Sequence, residues 1–177
     1  AKYNTNFVYE TEDVTAIREL IERSASLYGE RPAFLYNEDG EIKEITYGEV
    51  LKRVKALATY LRSKLPEGCK VAVTGKNSYN WVITYLAVTS GVGIIVPIDK
   101  DLRGEEIADL IKDAEADAVI YSPEQEDKMA LVSDTVMKLS MDGMDAYYEE
   151  GNALIENGDT SYRDHKINPH ALGSLLY

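Results

Sequence analysis

The sequence predicts an α/β fold, with a mostly parallel sheet covered by helices on both faces and an N-terminal helix and β-hairpin before it. Two observations support this fold class. Short apolar runs alternate with amphipathic helical patterns between residues 66 and 141, and this alternation is typical of βαβ units. The run Ile94-Ile95-Val96 contains no polar position, as expected for a strand that is buried on both faces.

The first 65 residues predict a helix followed by a hairpin. Apolar and small residues share one face of residues 14–28, and Asp13 is available as the N-cap: Val14, Ile17, Leu20, Ile21, Ser24 and Tyr28. Two strand-like runs follow, Ala33–Tyr36 and Glu41–Ile45. The Asp39-Gly40 pair between them suits a tight turn, because both residue types tolerate a positive φ.

A second helix is predicted to begin at Thr46-Tyr47-Gly48-Glu49, which has the pattern of a capping box. In that motif the Thr46 hydroxyl accepts from the Glu49 amide, and the Glu49 carboxylate accepts from the Thr46 amide. The helix is predicted to end before Pro66 and Gly68. Its apolar positions keep a period of 3.6 residues: Val50, Leu51, Val54, Leu57, Ala58, Leu61 and Leu65.

The strands of the predicted sheet are residues 70–74, 94–96 and 118–121, and residues 136–141 are compatible with a fourth. The helix between the first two strands is predicted to bury Trp81, Val82, Tyr85, Leu86 and Thr89 and to stop at Gly91. The next helix is predicted to bury Ile107, Leu110, Ile111 and Ala114. A helical stretch is predicted near residues 124–135, a weaker one at 142–158 and a polar loop at 157–169.

Charge and composition exclude several classes of partner. The 177 residues carry 19 Lys and Arg against 31 Asp and Glu, giving a net charge of −12. Nucleic acids and anionic membranes require a basic footprint, so neither is an expected partner. No segment approaches the roughly 20 apolar residues of a membrane span, and no secretory signal is visible. The single cysteine, Cys69, cannot form an internal disulfide, so we predict a cytoplasmic location.

Two glycine-containing motifs suggest nucleotide binding, but neither fits its template. Gly75-Lys76 follows a predicted strand, yet Lys70 stands where a phosphate-binding loop needs glycine and Asn77 where it needs Ser or Thr. We therefore predict a loop that leads to a helix capped by Asn77 or Ser78. Residues 91–93, Gly-Val-Gly, leave a helix and open a strand, which is the reverse of a dinucleotide-binding turn.

The remaining candidates do not assemble a site. His165 and His170 have no cysteine or carboxylate cluster near them in sequence to complete a zinc shell. Cys69 lacks a neighbouring histidine and is interpreted as a structural thiol. The acidic pairs, such as Glu105-Glu106 and Glu149-Glu150, fit first turns and exposed faces of helices. We assign no catalytic, cofactor-binding or metal-binding residue.

Three segments nevertheless resemble a known family when taken in order. Ile45-Thr46-Tyr47-Gly48-Glu49-Val50 resembles the first core motif of the adenylate-forming, or AMP-binding, enzymes. Residues 86–99, with their glycine turn and closing Val-Pro-Ile-Asp, resemble the second. Lys76-Asn77-Ser78 followed by Trp81 is similar to a segment common among acyl-CoA synthetases. The resemblance spans residues 14–121 closely and the rest loosely.

The resemblance implies the N-terminal subdomain of an acyl-CoA synthetase-like fold. Residues 1–177 would then be a fragment of an AMP-binding domain, with a helix-hairpin-helix segment at 1–65, a βαβ core at 66–141 and a connecting segment at 142–177. Residues 171–177 resemble the strand that leads into the family's Thr/Ser/Gly-rich phosphate loop. That loop would begin just after Tyr177, and the chain starts at Ala1 without an initiator methionine, so we expect an N-terminal fragment.

The same resemblance implies a function for a longer parent protein. In the family, ATP and Mg²⁺ convert a carboxylic acid, here a fatty acid by the branch most resembled, to an acyl-adenylate, and the acyl group then passes to CoA. The family's residues for these steps follow the matched region. The fragment itself is therefore expected to bind none of these cofactors and to be inactive. Its expected partners are the remainder of its own polypeptide and, through exposed apolar surface, further copies of itself.

Two alternatives remain open on the sequence. The parent could be a nonribosomal-peptide-type adenylation domain that loads a carrier protein, which a carrier domain downstream would indicate. The chain could also be a free-standing α/β binding module that is complete at Tyr177. An apolar strand at a sheet edge argues against the second alternative, because such an edge invites aggregation.

Overall fold

The structure is a computed structural model that describes residues 13–177. Its helices are α1 (Ile17–Tyr28), α2 (Tyr47–Lys64), α3 (Tyr79–Thr89), α4 (Gly104–Asp113), α5 (Glu126–Met129), α6 (Met144–Glu156) and α7 (Ser161–Asp164). Its strands are β1 (Pro32–Glu38), β2 (Glu41–Thr46), β3 (Cys69–Thr74), β4 (Gly93–Pro97), β5 (Ala118–Tyr121) and β6 (Met137–Ser140). Short 3-10 turns precede α5 at Pro123–Gln125 and α6 at Met141–Gly143.

Strands β3 to β6 form one parallel sheet in the order β4-β3-β5-β6. β3 lies in the interior of the sheet, where Ala72 pairs with Val96 of β4 and with Val119 of β5. β6 pairs in parallel with the other side of β5. The predicted α/β class is therefore confirmed, and the residues compatible with a fourth strand do form one.

Helices cover both faces of this sheet, as the apolar strands require. Val71 and Val73 of β3 point into a core built with α1, α2, α3 and α6. Ala72 points to the opposite face, into a second core built with α4 and α5. Because successive side chains of a strand alternate between faces, each strand contributes to both cores, and helices on the two sides keep them from water.

The hairpin stands apart from the parallel sheet and packs against α2. β1 and β2 pair in antiparallel register, with Glu38 opposite Glu41. The turn residues Asp39 and Gly40 have φ values of 52° and 86°, the left-handed conformation that a two-residue hairpin turn needs at both positions. The predicted hairpin and its turn are confirmed.

The starts of the first two helices differ in part from prediction. α1 has Ala16 at its N-cap position, so the proposed Asp13 cap is wrong; the acidic Glu19 instead accepts from the Thr15 amide at 3.0 Å. At α2 the Thr46 hydroxyl accepts from the Glu49 amide at 3.2 Å, as predicted. The Glu49 carboxylate, however, accepts from the Arg53 guanidinium at 3.0 Å, so the second half of the capping box is wrong.

Helix α3 presents to the sheet a face other than the predicted one. The residues that it buries are Ile83, Thr84, Ala87 and Val88. Trp81, Val82, Tyr85, Leu86 and Thr89, which were predicted to be buried, are only partly buried. Trp81, Tyr85 and Leu86 still pack against the edge of the core. The helix carries no charged residue, so no polar stripe marks which side faces water.

The last third of the chain differs from prediction in three places. The helical stretch predicted at 124–135 reduces to a 3-10 turn and the four-residue α5. The predicted polar loop at 157–169 contains α7, which is anchored by the buried Tyr162. The predicted strand at 171–177 reduces to one parallel bridge between Ser174 and Ile95 of β4. Within residues 13–177, no helix is long and apolar enough to cross a membrane.

Candidate functional site

The carboxyl ends of parallel strands are the first place to look for a site, because α/β sheets bind ligands where neighbouring strand connections diverge to opposite faces. β3 leads to α3 on one face, whereas β5 leads to α5 on the other. The crevice between these two connections is occupied by the protein itself. The Lys76 amide donates to Ser122 Oγ and to Glu124 Oε1, both at 3.0 Å, and Ser122 Oγ donates to Glu124 at 2.6 Å.

Gly75 allows the two loops to approach this closely. Its φ is 144°, and a Cβ atom added there would collide with the Ser122 side chain. Burial of the Glu124 carboxylate opposes ionisation, but the hydrogen bonds from Ser122 and the Lys76 amide outweigh it and hold the pKa below its usual range. The Lys76 amide therefore donates its hydrogen bond to a carboxylate of the same chain, and this loop does not fit a phosphate. The loop and the Ser78 cap predicted here are confirmed, since Ser78 Oγ accepts from the Trp81 amide.

A groove of about 570 Å³ lies at the amino ends of β3 and β4. The turn after α3, residues 91–94, forms one wall, and residues 165–169 and 171–174 form others. Tyr85 and Thr89 of α3 contribute the wall nearest that helix. The surface inside is mainly apolar, with Glu67, His165 and Lys166 as its charged or titratable members.

His165 is the chemically distinctive side chain of the groove. Its ring packs against Gly91, and its Nδ1 lies 3.8 Å from a Glu67 carboxylate oxygen. Burial, followed by the positive charge of Arg62, lowers its pKa from the usual 6.5, with Glu67 acting in the opposite direction. The lowered pKa therefore favours the neutral imidazole at pH 7. His170 is exposed in the following loop, and the described residues contain no cluster of three His, Cys, Asp or Glu side chains that could hold a metal.

Arginine side chains fix the groove walls through backbone carbonyls. Arg18 donates to the carbonyls of Tyr162 at 2.6 Å and His165 at 2.8 Å. Its guanidinium also lies over the Tyr162 ring, 5.5 Å from the centroid. Arg62 donates to the Gly91 carbonyl at the end of α3. Arg18 therefore holds α7 in place, and Arg62 holds the turn after α3. Both charges interact with carbonyl groups of the protein itself.

Cys69 is a buried thiol rather than a nucleophile. It is 3% exposed at the start of β3 and lies 3.8 Å from the Val92 carbonyl. Burial, together with the nearby Asp117 carboxylate, raises its pKa to about 11. A thiol with that pKa carries almost no thiolate at pH 7. Glu105 and Glu106 likewise occupy the first turn of α4, where they stabilise the helix.

The outer side of α3 is a functional candidate that periodicity did not reveal. Trp81 and Tyr85 stack on this side with ring centroids 5.8 Å apart. Val82 and Leu86 lie beside them and are likewise only partly buried. The signal that could have indicated this surface is the complete lack of charge on the helix, which is typical of helices covered on all sides.

The family-like segments occupy defined positions in the fold. Residues 45–50 form the end of β2 and the first turn of α2. Residues 86–99 form the end of α3, the glycine turn and β4. Residues 76–78 form the loop that caps α3. The second segment includes a strand of the parallel sheet, and none of the three contributes a cluster of reactive side chains.

Comparison with known proteins yields a consistent set of relatives. A family model described as "AMP-binding enzyme" matches residues 21–177. A long-chain-fatty-acid–CoA ligase of Thermus thermophilus is 28% identical over 106 residues, 59% of this chain and 20% of that protein. A linear gramicidin synthase of Brevibacillus parabrevis is 28% identical over 128 residues, 70% of this chain and 2% of that protein.

Solved structures agree on the fold. The N-terminal domain of FACL13 from Mycobacterium tuberculosis superimposes with a TM-score of 0.68 at 17% identity, over 76% of this chain and 36% of that one. The chain thus spans about a fifth or less of the length of the two curated relatives.

Proposed function

The chain belongs to the family of AMP-binding enzymes, and from this membership we propose that it is the N-terminal portion of an acyl-CoA synthetase. The complete enzyme would use ATP and Mg²⁺ to join a fatty acid to AMP and would transfer the acyl group to CoA. The observation that supports this proposal is the order of the family-like segments along β2, α3 and β4. The similarity to a long-chain-fatty-acid–CoA ligase favours this branch.

Residues 1–177 would supply the scaffold of this enzyme rather than its chemistry. We propose the helix-hairpin-helix segment at 1–65, the βαβ core at 66–141 and the connecting segment at 142–177 as its parts. The crevice at the carboxyl ends of β3 and β5 does not fit the phosphates of ATP, because Lys76 donates there to Ser122 and Glu124. We assign no step of the reaction to a residue of this chain.

Pyrophosphate exchange by the full-length gene product tests this proposal. Incubation with ATP, Mg²⁺ and a panel of fatty acids should give acid-dependent exchange of labelled pyrophosphate into ATP, and addition of CoA should release an acyl thioester. The 177-residue chain alone should show neither activity. Calorimetric detection of micromolar, Mg²⁺-dependent ATP binding by that chain would contradict its assignment as scaffold.

A second candidate is an adenylation domain that activates an amino acid for a carrier protein. The similarity to a linear gramicidin synthase favours this alternative. The same exchange assay separates the two, because an adenylation domain would respond to amino acids and would load a carrier protein instead of CoA. The segment Lys76-Asn77-Ser78 with Trp81 favours the acyl-CoA branch.

A further inference from the structure

The connection between α6 and α7 begins with an Asn-Gly pair, Asn157-Gly158, and no other asparagine of the sequence is followed by glycine. Both residues are exposed. Gly158 has a φ of 96°, and a Cβ atom added there would meet nothing within 4 Å. Solvent therefore reaches the peptide group that joins the two residues.

Two backbone hydrogen bonds close the end of α6. The Gly158 amide donates to the Ile155 carbonyl at 3.0 Å, and the Asp159 amide donates to the Leu154 carbonyl at 2.9 Å. This pair of bonds is the motif in which a left-handed residue, most often glycine, terminates a helix. The Gly158 amide is thus bonded only to the last turn of α6, and the last turn of a helix opens at little cost in free energy.

We infer that Asn157 is a site of spontaneous deamidation, a reaction that requires water and no enzyme. When the last turn of α6 opens, the Gly158 amide nitrogen attacks the Asn157 side-chain carbonyl carbon, Cγ. A bond forms between this nitrogen and Cγ, the bond from Cγ to Nδ2 breaks, and Nδ2 leaves as ammonia with the proton of the Gly158 amide. Water then opens the resulting succinimide ring at one of its two carbonyls, which gives aspartate or isoaspartate at position 157.

Glycine after the asparagine favours this attack for two reasons. No side chain shields the attacking nitrogen, and the backbone of glycine turns freely enough to bring that nitrogen to the carbonyl. The open space around Gly158 admits the water that completes the reaction. The sequence and the exposed helix end therefore favour the same position.

Deamidation would weaken the connection between α6 and α7. The new carboxylate would lie at the negative end of the α6 dipole, between Glu156 and Asp159, where a further negative charge is unfavourable. Isoaspartate would also add a methylene group to the main chain and shift the two amides that close the helix. Asp159 Oδ1 accepts from the amide of Ser161, the first residue of α7, at 2.7 Å, so the shift would reach that helix.

Peptide mapping by mass spectrometry tests the site, because deamidation raises the mass of a peptide by about 1 Da. The purified chain is aged at neutral pH and fragments that contain position 157 are followed with time. Asn77, which precedes Ser78 in an exposed loop, is the internal control. Gly158→Asn is the matched variant, since asparagine tolerates the left-handed conformation at a helix end but places a side chain beside the attacking nitrogen.

We expect position 157 to deamidate at least about tenfold faster than position 77, and about tenfold faster than in the Gly158→Asn variant. Faster reaction at position 77 would overturn the inference. The same measurement in urea gives the rate for the unfolded chain. A native rate below about a hundredth of that rate would also overturn the inference, because the end of α6 would then protect Asn157 rather than open.

Amide hydrogen exchange tests the consequence for α7. Exchange in residues 158–165 should be faster in the aged chain than in the fresh one, and Asn157→Asp should reproduce the part of this effect that is due to charge. Unchanged exchange in a fully deamidated chain would contradict the proposed weakening. The site does not depend on the proposed enzymatic activity, so neither result bears on the other.

Discussion

Single residues with one steric or electrostatic role allow the sharpest tests. At Gly75, a Gly75→Ala substitution should lower the free energy of unfolding by about 2 kcal/mol or more. The added Cβ would strike Ser122, and the φ of 144° disfavours any side chain. Urea unfolding followed by circular dichroism measures the loss. Gly173→Ala is the control, since nothing lies within 4 Å of a Cβ there, and an equal loss in both variants would contradict the argument.

His165 should make stability depend on pH. Its folded-state pKa is lowered, first by burial and then by Arg62, so the unfolded chain binds the proton more readily. Stability is therefore full above pH 6.5, the ordinary pKa, and is lost as the pH falls through the lower folded value. We expect a smaller free energy of unfolding at about pH 5.5 than at about pH 7.5, and a weaker decline in His165→Gln. His170→Gln, on an exposed loop residue, should keep the decline of the unmodified chain.

At the scale of elements, the start of α2 depends on one hydroxyl. Thr46→Ala removes the oxygen that accepts from the Glu49 amide and should lower the free energy of unfolding by about 1 kcal/mol. Thr46→Ser retains the oxygen and should restore most of the loss. If the serine variant is as unstable as the alanine variant, the packing of the Thr46 methyl group rather than capping is responsible.

The stability of α7 should depend on Arg18, a residue of α1 whose side chain contacts α7. Arg18→Ala removes charge-assisted hydrogen bonds to the carbonyls of Tyr162 and His165, each worth about 1.5–3 kcal/mol. Amide hydrogen exchange in residues 161–165 should therefore accelerate by about tenfold or more. Lys52→Ala, at an exposed position of α2, should leave this exchange unchanged.

Sequence periodicity predicted those elements whose pattern alternates clearly between polar and apolar positions. The hairpin turn at Asp39-Gly40, the period of α2 and the strands β3 to β5 are of this kind. It could not orient α3, because a helix without charge has no polar side to exclude. It also missed α7, since one buried tyrosine among polar residues has no period, and the tertiary contacts to Arg18 that order it come from 144 residues away.

For the candidate site, the sequence supported only the statement that no motif matches its template. Lys70 and Asn77 depart from the phosphate-loop pattern around Gly75-Lys76, and in the structure the Lys76 amide donates to the Glu124 carboxylate. The groove was not predictable. It arises where residues 85–94 meet residues 165–174, which are far apart in the sequence.

For the whole molecule, the strand order also determines how long β3 lacks one of its neighbours during synthesis. β3 ends at Thr74, but β5, which covers one of its sides, begins only at Ala118. At ribosomal rates of about 5–20 residues per second, β3 would remain without that neighbour for about 2–9 seconds. An apolar strand with an unpaired edge is a binding site for chaperones and for other nascent chains during that time. The parallel order therefore makes production of the folded protein sensitive to translation speed, and slowing the ribosome between codons 75 and 118 should increase aggregation.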